Sequence, residues 1–404
     1  MFVGLVVAVI AIGPVISAIH LLNPVISLGA VVLIAVAGLW RAYSIIDACR
    51  PRTLRANVVA ALLVALVVVS HAWLGQVAFS FYEAGQSIYE PVANPSPAPG
   101  TTADPAQPSA DPTPAPTQLE PLPGTASRVT VLLIGIDNTH LADRGLTDTL
   151  MVSSFDPVGQ SLTMISIPRD TGRLPYYAGG EYAPRINTLM QTAARNPDEY
   201  PDGPIGTLVN EVSYIVGVPI DYSARIDIAG FTTMIDAVGG VDVVLEEAIN
   251  DPGYQFSATE IGFLLEAGPH HLDGKLATAY ARSRHGAGNS DYDRAKRQQQ
   301  LLLALREKLN NPLIIANASA LVSAVSQIIR TDAPLERLPE IVTIALRSRD
   351  AATTNIVLRP PNFAHTVVGA DGQPTSMTHL TMDAVAVLSV QLFGPESRYF
   401  STGP

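Results

Sequence analysis

The chain has 404 residues, 48% hydrophobic and only 15% charged, with mean hydropathy +0.25 and net charge -11. Ordinary soluble domains carry about 25% charged residues, so a wholly soluble enzyme and a largely disordered protein are both excluded. The acidic balance argues against general attraction to nucleic acid, and a single cysteine, Cys49, excludes an intrachain disulfide framework.

No Asp, Glu, Lys or Arg occurs between Met1 and Trp40. A bilayer core takes about 20 apolar residues per helix, so this run is long enough for two spans, with Asn23-Pro24 as the turn between them. Arg41, Arg50, Arg52 and Arg55 follow, and a second uncharged run extends from Asn57 to Tyr82. Because the first run lacks the basic n-region of a cleavable signal peptide, residues 1–82 read as a membrane region of about three helices. Arginines concentrate on the cytoplasmic side, so the expectation is a multi-pass protein of a bacterial cell membrane with everything after Tyr82 outside the cytoplasm. Residues 83–127 read as a linker. Eleven prolines lie between Pro91 and Pro123, a composition that cannot bury a core and that reaches on the order of 100 Å if extended.

Residues 128–404 read as one α/β domain. Val129–Gly135, Leu150–Phe155 and Ser161–Ile167 are short apolar runs of the kind buried strands show. Thr188–Ala194 and Pro204–Val216 read as helices and Ala224–Ile228 as a strand. Phe231–Val238 is a helix closed by Gly239-Gly240, and Val241–Leu245 a strand. Asp273–Tyr280 and Tyr292–Leu309 are helices, followed by a helix at Leu335–Leu346, a strand at Asn355–Leu358 and a last helix near Thr381–Leu392. This alternation predicts a mixed β-sheet flanked by helices.

Phosphate-loop, nucleophile-elbow, H-E-x-x-H and C-x-x-C patterns are all missing. His270-His271 sits in a Gly-Pro context that reads as a turn and suits a metal poorly. The arginines say more. Arg169 follows an apolar strand, where open α/β sheets bind ligands. Arg282 and Arg284 are two residues apart and in an extended segment share a side. Asp291, Arg294 and Gln298 recur at i, i+3 and i+7, one helix face, with Arg297 beside it. The 25 basic residues include 22 arginines, and arginine suits bidentate phosphate recognition. From the residues alone, surface salt bridges explain these arginines equally well. Asp137 and Asp148 should emerge at the same sheet edge as Arg169; two carboxylates beside phosphate are what a shared Mg²⁺ requires, although a turn or ion-pair role fits each singly.

The segments Ile134-Gly135-Ile136-Asp137, Thr147-Asp148-Thr149-Leu150, Ile167-Pro168-Arg169-Asp170 and Arg185-Ile186-Asn187, with Asp236-Ala237-Val238-Gly239-Gly240, Ala279-Tyr280-Ala281-Arg282-Ser283-Arg284 and Asp291-Tyr292-Asp293-Arg294 through Gln298, together resemble the LytR–CpsA–Psr family over residues 131–305. The resemblance implies a membrane-bound phosphotransferase of cell-wall assembly, a glycopolymer–peptidoglycan ligase. Its partners would be a polyprenyl-pyrophosphate-linked glycopolymer, peptidoglycan and membrane lipid, and no nucleic acid. By motif, Asp137 and Asp148 would hold Mg²⁺ (or Mn²⁺). Arg169, Arg282, Arg284, Arg294 and Gln298 would grip the pyrophosphate, with Asp291 orienting the arginines. Family members have an apolar channel for the polyprenyl tail, here expected beside the helices around Leu189 and Leu208. Leu146 stands where the family often has Arg, and Arg144 lies in the same loop as its substitute. Pyrophosphate hydrolysis and a non-catalytic lipid-phosphate-binding regulator are the alternatives. Arabinogalactan, teichoic acid and capsule all suit the motifs, the Arg-rich, Lys-poor composition leaning to the first.

Overall fold

The computed structural model describes residues 19–49, 54–92, 128–136, 145–284, 290–308, 326, 328–347, 351–369 and 372–400. The first expected membrane span, the Pro-rich segment, Asp137 and Arg144 lie outside the described residues.

Among the described residues two helices, α1 (Pro24–Ala48) and α2 (Leu54–Ile88), are each long and apolar enough to cross a membrane. Asn23 does not merely turn the chain. Its side-chain oxygen accepts the backbone N–H groups of Val25 and Ile26, capping α1, while Pro24 occupies the first helical position, where no N–H partner is needed. The second expected span therefore runs past Trp40 and Arg41 before it ends. At 1.5 Å per residue α2 is roughly 50 Å long against about 30 Å of hydrocarbon, so its last turns extend beyond a bilayer core.

The domain is built on a six-stranded mixed sheet of β1 (Val129–Ile136), β2 (Thr147–Asp156), β3 (Ser161–Ile167), β6 (Tyr222–Asp227), β11 (Ile329–Thr331) and β12 (Ala352–Val357), in the order β11-β6-β1-β2-β3-β12. The pairs β1–β6 and β3–β12 are parallel; β1–β2, β2–β3 and β6–β11 are antiparallel. Four small hairpins or strand pairs decorate it: β4 (Gly172–Pro175) with β5 (Glu181–Arg185), β7 (Val241–Leu245) with β10 (Gly268–Leu272), β8 (Ile249–Gln255) with β9 (Ile261–Leu265), and β13 (Ala364–Val368) with β14 (Pro374–Leu380). His270 and His271 are thus strand residues rather than turn residues, and His271 Nδ1 meets Asp242 Oδ1 at 2.6 Å.

Strand alternation assigns the two faces. Leu132, Ile134 and Ile136 of β1 enter a core with α3 (Leu189–Arg195), α4 (Gly203–Val216) and α9 (Met382–Phe393). The alternate residues Val129, Val131 and Leu133 meet α7 (Asp291–Lys308) and α8 (Leu338–Arg347). Leu189 and Leu208 are fully buried in the first core. The helices expected to line a channel therefore fill a packed layer instead. A third cluster joins α5 (Ile228–Ala237), α6 (Gly274–Arg282), α7 and the β7–β10 region.

Register places the functional edge. Ile136 at the end of β1 pairs with Asp227 at the end of β6 and with Thr147 at the start of β2. Leu150 pairs with Ile167 at the end of β3, and Ser166 with Val357 at the end of β12. The carboxyl ends of all four mutually parallel strands thus meet at one edge, the usual ligand edge of such sheets.

Candidate active site

Arg169 leaves the carboxyl end of β3, and its Nη1 sits 2.5 Å from Asp148 Oδ1 at the start of β2. Asp291 opens α7 with Oδ1 at 2.7 Å from Arg294 Nη2 and 3.8 Å from Arg169 Nε. Arg294 Nη2 also donates to the carbonyl of Asp148 at 3.1 Å. The first turn of α7 is held by a reciprocal cap: Ser290 N–H donates to Asp293 Oδ2 at 2.9 Å, and Asp293 N–H to Ser290 Oγ at 3.2 Å. One turn further, Gln299 ties the helix to the sheet, donating to Ser166 Oγ and to the Ile356 carbonyl, each at 3.0 Å. The helix that carries Asp291, Arg294 and Gln298 is therefore fixed to the strand end that carries Arg169.

The electrostatics of this cluster are those of charges drawn partly out of water. Burial raises the Asp291 carboxyl above the usual range although Arg294 and Arg169 pull it down. Burial likewise holds Arg294 below its ordinary value, Asp291 opposing. At Arg169 burial also disfavours the charge, but the bond to Asp148 and the fields of Asp148, Asp291 and Asp170 outweigh it, and its pKa is raised. Two buried donors, Nε of Arg169 and Nε of Arg294, have no hydrogen-bond acceptor among the described residues. Such buried polar groups are costly unless something completes them. The cluster has donor capacity to spare for an anion.

Arg282 ends α6 and Ser283 leaves it in extended conformation, so Arg282 and Arg284 are exposed on either side of a buried Ser283. The segment is anchored three ways. Ser283 Oγ and the Arg284 N–H both donate to Asp251 Oδ2, at 2.8 and 3.1 Å, and Arg297 donates to the Ser283 carbonyl. Arg297, which also lies over the Tyr280 ring, thus positions the segment. Gln298 donates to the Ala281 carbonyl at 3.2 Å.

An apolar cleft opens between the β1–β2 face of the sheet and α5, α6 and α7. Leu133, Met151, Ile226, Phe231 and Leu301 are among its walls, and Thr149, Arg282 and Gln298 are its polar lining residues. Gly135 is among its lining residues and packs closely on Thr149, where a Cβ would stand 2.8 Å from Thr149 Cβ. This apolar cleft lies on the opposite face of the sheet from Leu189 and Leu208. On the other flank of α7 a broader polar cleft is lined by Lys296, Gln300, Glu246, Asn355, Arg359 and Asn362, among others.

Sequence reasoning passed over Asp170 and the partner role of Arg185, whose Nε lies 3.3 Å from Asp170 Oδ1 and whose Nη2 donates to Ser376 Oγ at 2.7 Å. Adjacency of Asp170 to Arg169 was the available signal. Arg359, in the loop after β12, carried no such signal.

The LytR_cpsA_psr family model matches residues 98–377. The chain belongs to the LytR_cpsA_psr family. Among LytR_cpsA_psr relatives, it is 32% identical over 216 residues to a protein of Halalkalibacterium halodurans named polyisoprenyl-teichoic acid--peptidoglycan teichoic acid transferase TagU, matching 52% of this chain and 63% of that one. It is 30% identical over 223 residues to the cell wall biosynthesis protein LcpA of Corynebacterium glutamicum, matching 52% and 42%. The chain thus spans about three-fifths or less of the length of these curated relatives. The crystal structure of B. subtilis TagV shares the fold, with TM-score 0.51 and 22% identity over 66% of this chain and 96% of that one. The expected family and the mixed, helix-flanked sheet are both borne out.

Proposed function

We propose that this LytR_cpsA_psr protein transfers an anionic glycopolymer from a polyprenyl-pyrophosphate carrier to peptidoglycan through a phosphodiester link. One observation carries the reading: an apolar cleft whose lining includes Arg282 and Gln298, which join it to the helix and strand end that bear Arg294, Asp291, Arg169 and Asp148. A lipid tail and a pyrophosphate head need those two environments side by side. The names of the relatives point the same way.

In this reading the cleft takes the polyprenyl chain and excludes water behind the head group. Arg169 and Arg294 turn their uncommitted Nε donors to phosphate oxygens, Arg282 and Arg284 close over them from the α6 end, and Asp291 holds the first pair in register. A hydroxyl oxygen of the acceptor glycan attacks the sugar-bearing phosphorus; the bond from that phosphorus to the bridging oxygen breaks and polyprenyl phosphate leaves. The hydroxyl proton passes to a nearby carboxylate, Asp137 or Asp148. Positioning and charge neutralisation carry most of such a transfer. The polar cleft beyond α7 gives the acceptor glycan room. Carboxylate oxygens are the donors a hard cation takes, and Asp148, exposed by only a fifth and with Oδ1 taken by Arg169, fits Mg²⁺ or Mn²⁺ as one ligand with Asp137 as the second. When bound, the cation would supply charge neutralisation at the pyrophosphate. The membrane helices put the domain where a lipid-linked donor is reached, with the catalytic domain outside the cytoplasm in a multi-pass chain.

Arg169→Ala and Arg282→Ala should each abolish transfer while the domain keeps its circular-dichroism spectrum and melting transition. Near-normal transfer by both variants would end the phosphate-pocket assignment.

A further inference from the structure

The outer end of the membrane hairpin does not stop short of the domain; it is built into it. Tyr89, just past α2, forms a parallel β-bridge with Thr331 of β11, and the Glu90 N–H donates to the Thr331 carbonyl at 2.9 Å. Ser87 Oγ donates to the Ser326 carbonyl at 3.3 Å, and Asn23 Nδ2 to Glu336 Oε1 at 3.2 Å. Leu22, Phe81, Ala84 and Ile88 form a buried cluster against which Leu338 of α8 packs. The two helices meet backbone to backbone here, since a Cβ on Gly85 would fall 2.0 Å from the Leu22 carbonyl oxygen.

Charge gives the contact its specificity. Arg225 of β6 and Arg330 of β11 are register partners across an antiparallel pair, so both project from the same face, an arrangement that like charges disfavour. Arg225 is almost fully buried, and its guanidinium pairs with the Glu90 carboxylate, which the hairpin end supplies. Arg330 Nη1 is taken up by the carbonyls of Ser326 and Ile329, at 2.8 and 2.9 Å. Glu90 is therefore one of the carboxylates that offset the buried Arg225 charge, and the one the hairpin end contributes.

The docked edge is also a wall of the apolar cleft. Ile226, next to Arg225, lines the cleft, as does Phe231 of α5. The residue before Phe231, Gly230, lies so close to Ile328, at the entrance to β11, that a Cβ would overlap its side chain at 1.8 Å.

We propose that the hairpin end docks on the β6–β11 edge and fixes the orientation of the catalytic domain on the bilayer, so that the placement of the cleft is set by this contact and not by the length of the Pro-rich segment. The inference rests on α1 and α2 being membrane spans. A tethered domain would sample its surroundings with an effective concentration that falls as the tether lengthens; a docked one is indifferent to it.

The test uses the full chain in bacterial membranes, in a Cys49→Ser background. Cysteines replace the bridge partners as Tyr89→Cys with Thr331→Cys, and Tyr89→Cys with Ser376→Cys serves as the control pair. Docking predicts near-complete oxidative cross-linking of the first pair and at least tenfold less of the second, unchanged when the segment 93–127 is duplicated. Arg225→Glu should lower the yield of the first pair at least fivefold, and adding Glu90→Arg should restore it. Equal yields for the two pairs, a yield that falls with linker length, or a charge reversal without effect would each overturn the proposal. Carbonate washing distinguishes the underlying reading: a chain released into the supernatant was never membrane-spanning, whatever its cross-links.

Discussion

Asp291→Asn separates what the charge cluster does for function from what it does for stability. The carboxylate lies 2.7 Å from one guanidinium nitrogen and 3.8 Å from another. At an effective dielectric of 20 those separations correspond to attractions of roughly 4 to 6 kcal/mol each. Yet the carboxyl is raised above its ordinary range, with burial the largest cause. Desolvation therefore outweighs both arginines, and the ionised form is the less stable one inside the fold relative to water. The sign follows: a folded value above the unfolded one means that stability is greatest below the unfolded pKa and is lost as pH rises through the folded value. At neutral pH the ionised Asp291 is a net burden. Its neutral isostere should leave the melting temperature unchanged or raise it by a few degrees. Transfer should fall about 100-fold, because Arg169 and Arg294 lose the group that holds them in register and misplacement by an ångström is worth about that factor. Scanning calorimetry and a mass-spectrometric transfer assay, run on the same preparation, read the two effects. A drop in melting temperature of more than about 5 °C, which is roughly 2–3 kcal/mol for a domain of this size, would show that the carboxylate stabilises the fold and would refute the reasoning.

Glu211, fully buried on α4 and accepting the Tyr177 N–H at 3.0 Å, is pushed up by burial to about 7. Its share of stability, at most about 3 kcal/mol for a shift of this size, should be lost as pH rises from about 4.5 to 7, and Glu211→Gln should flatten that part of a pH–stability curve measured by urea denaturation. Gly135→Ala should destabilise by about 1–3 kcal/mol, the usual penalty for overpacking, because its Cβ would meet Thr149; adding Thr149→Ala should recover most of the loss, and purely additive effects would contradict the contact. Chelation by EDTA should stop transfer and Mg²⁺ or Mn²⁺ should restore it, while Asp148→Asn should raise the Mg²⁺ concentration needed for half-maximal rate at least tenfold.

The elements that proved legible were those whose patterns are local. The strands β1 to β3 are short, mostly apolar runs, and α7 shows its Asp291, Arg294, Gln298 face in the sequence alone; the ion pair between the first two is that spacing realised. The hairpins β4–β5, β8–β9 and β13–β14 were not seen. Each contains a register shift, and Pro184, Pro252 and Gly253 interrupt the alternation by which strands are recognised. The cleft was expected on the wrong face because Leu189 and Leu208 lie on apolar helices, and apolarity does not distinguish a packed layer from a lined cavity. Arg297 was grouped with the phosphate-facing arginines because it neighbours Arg294 and Gln298 in sequence, yet it faces the Ser283 carbonyl and the Tyr280 ring. The contact of the hairpin with β11 joins residues more than 200 apart and left no trace in any window of sequence.

The central claim is transfer, and product analysis tests it most directly. Full-length protein in lipid nanodiscs would be given a polyprenyl-pyrophosphate-linked oligosaccharide, peptidoglycan fragments and Mg²⁺, and the products examined by mass spectrometry. The account predicts oligosaccharide joined to the fragment through a single phosphate, absent with Arg169→Ala. Release of free phosphorylated sugar alone, or binding of the lipid donor with no product at all, would contradict it.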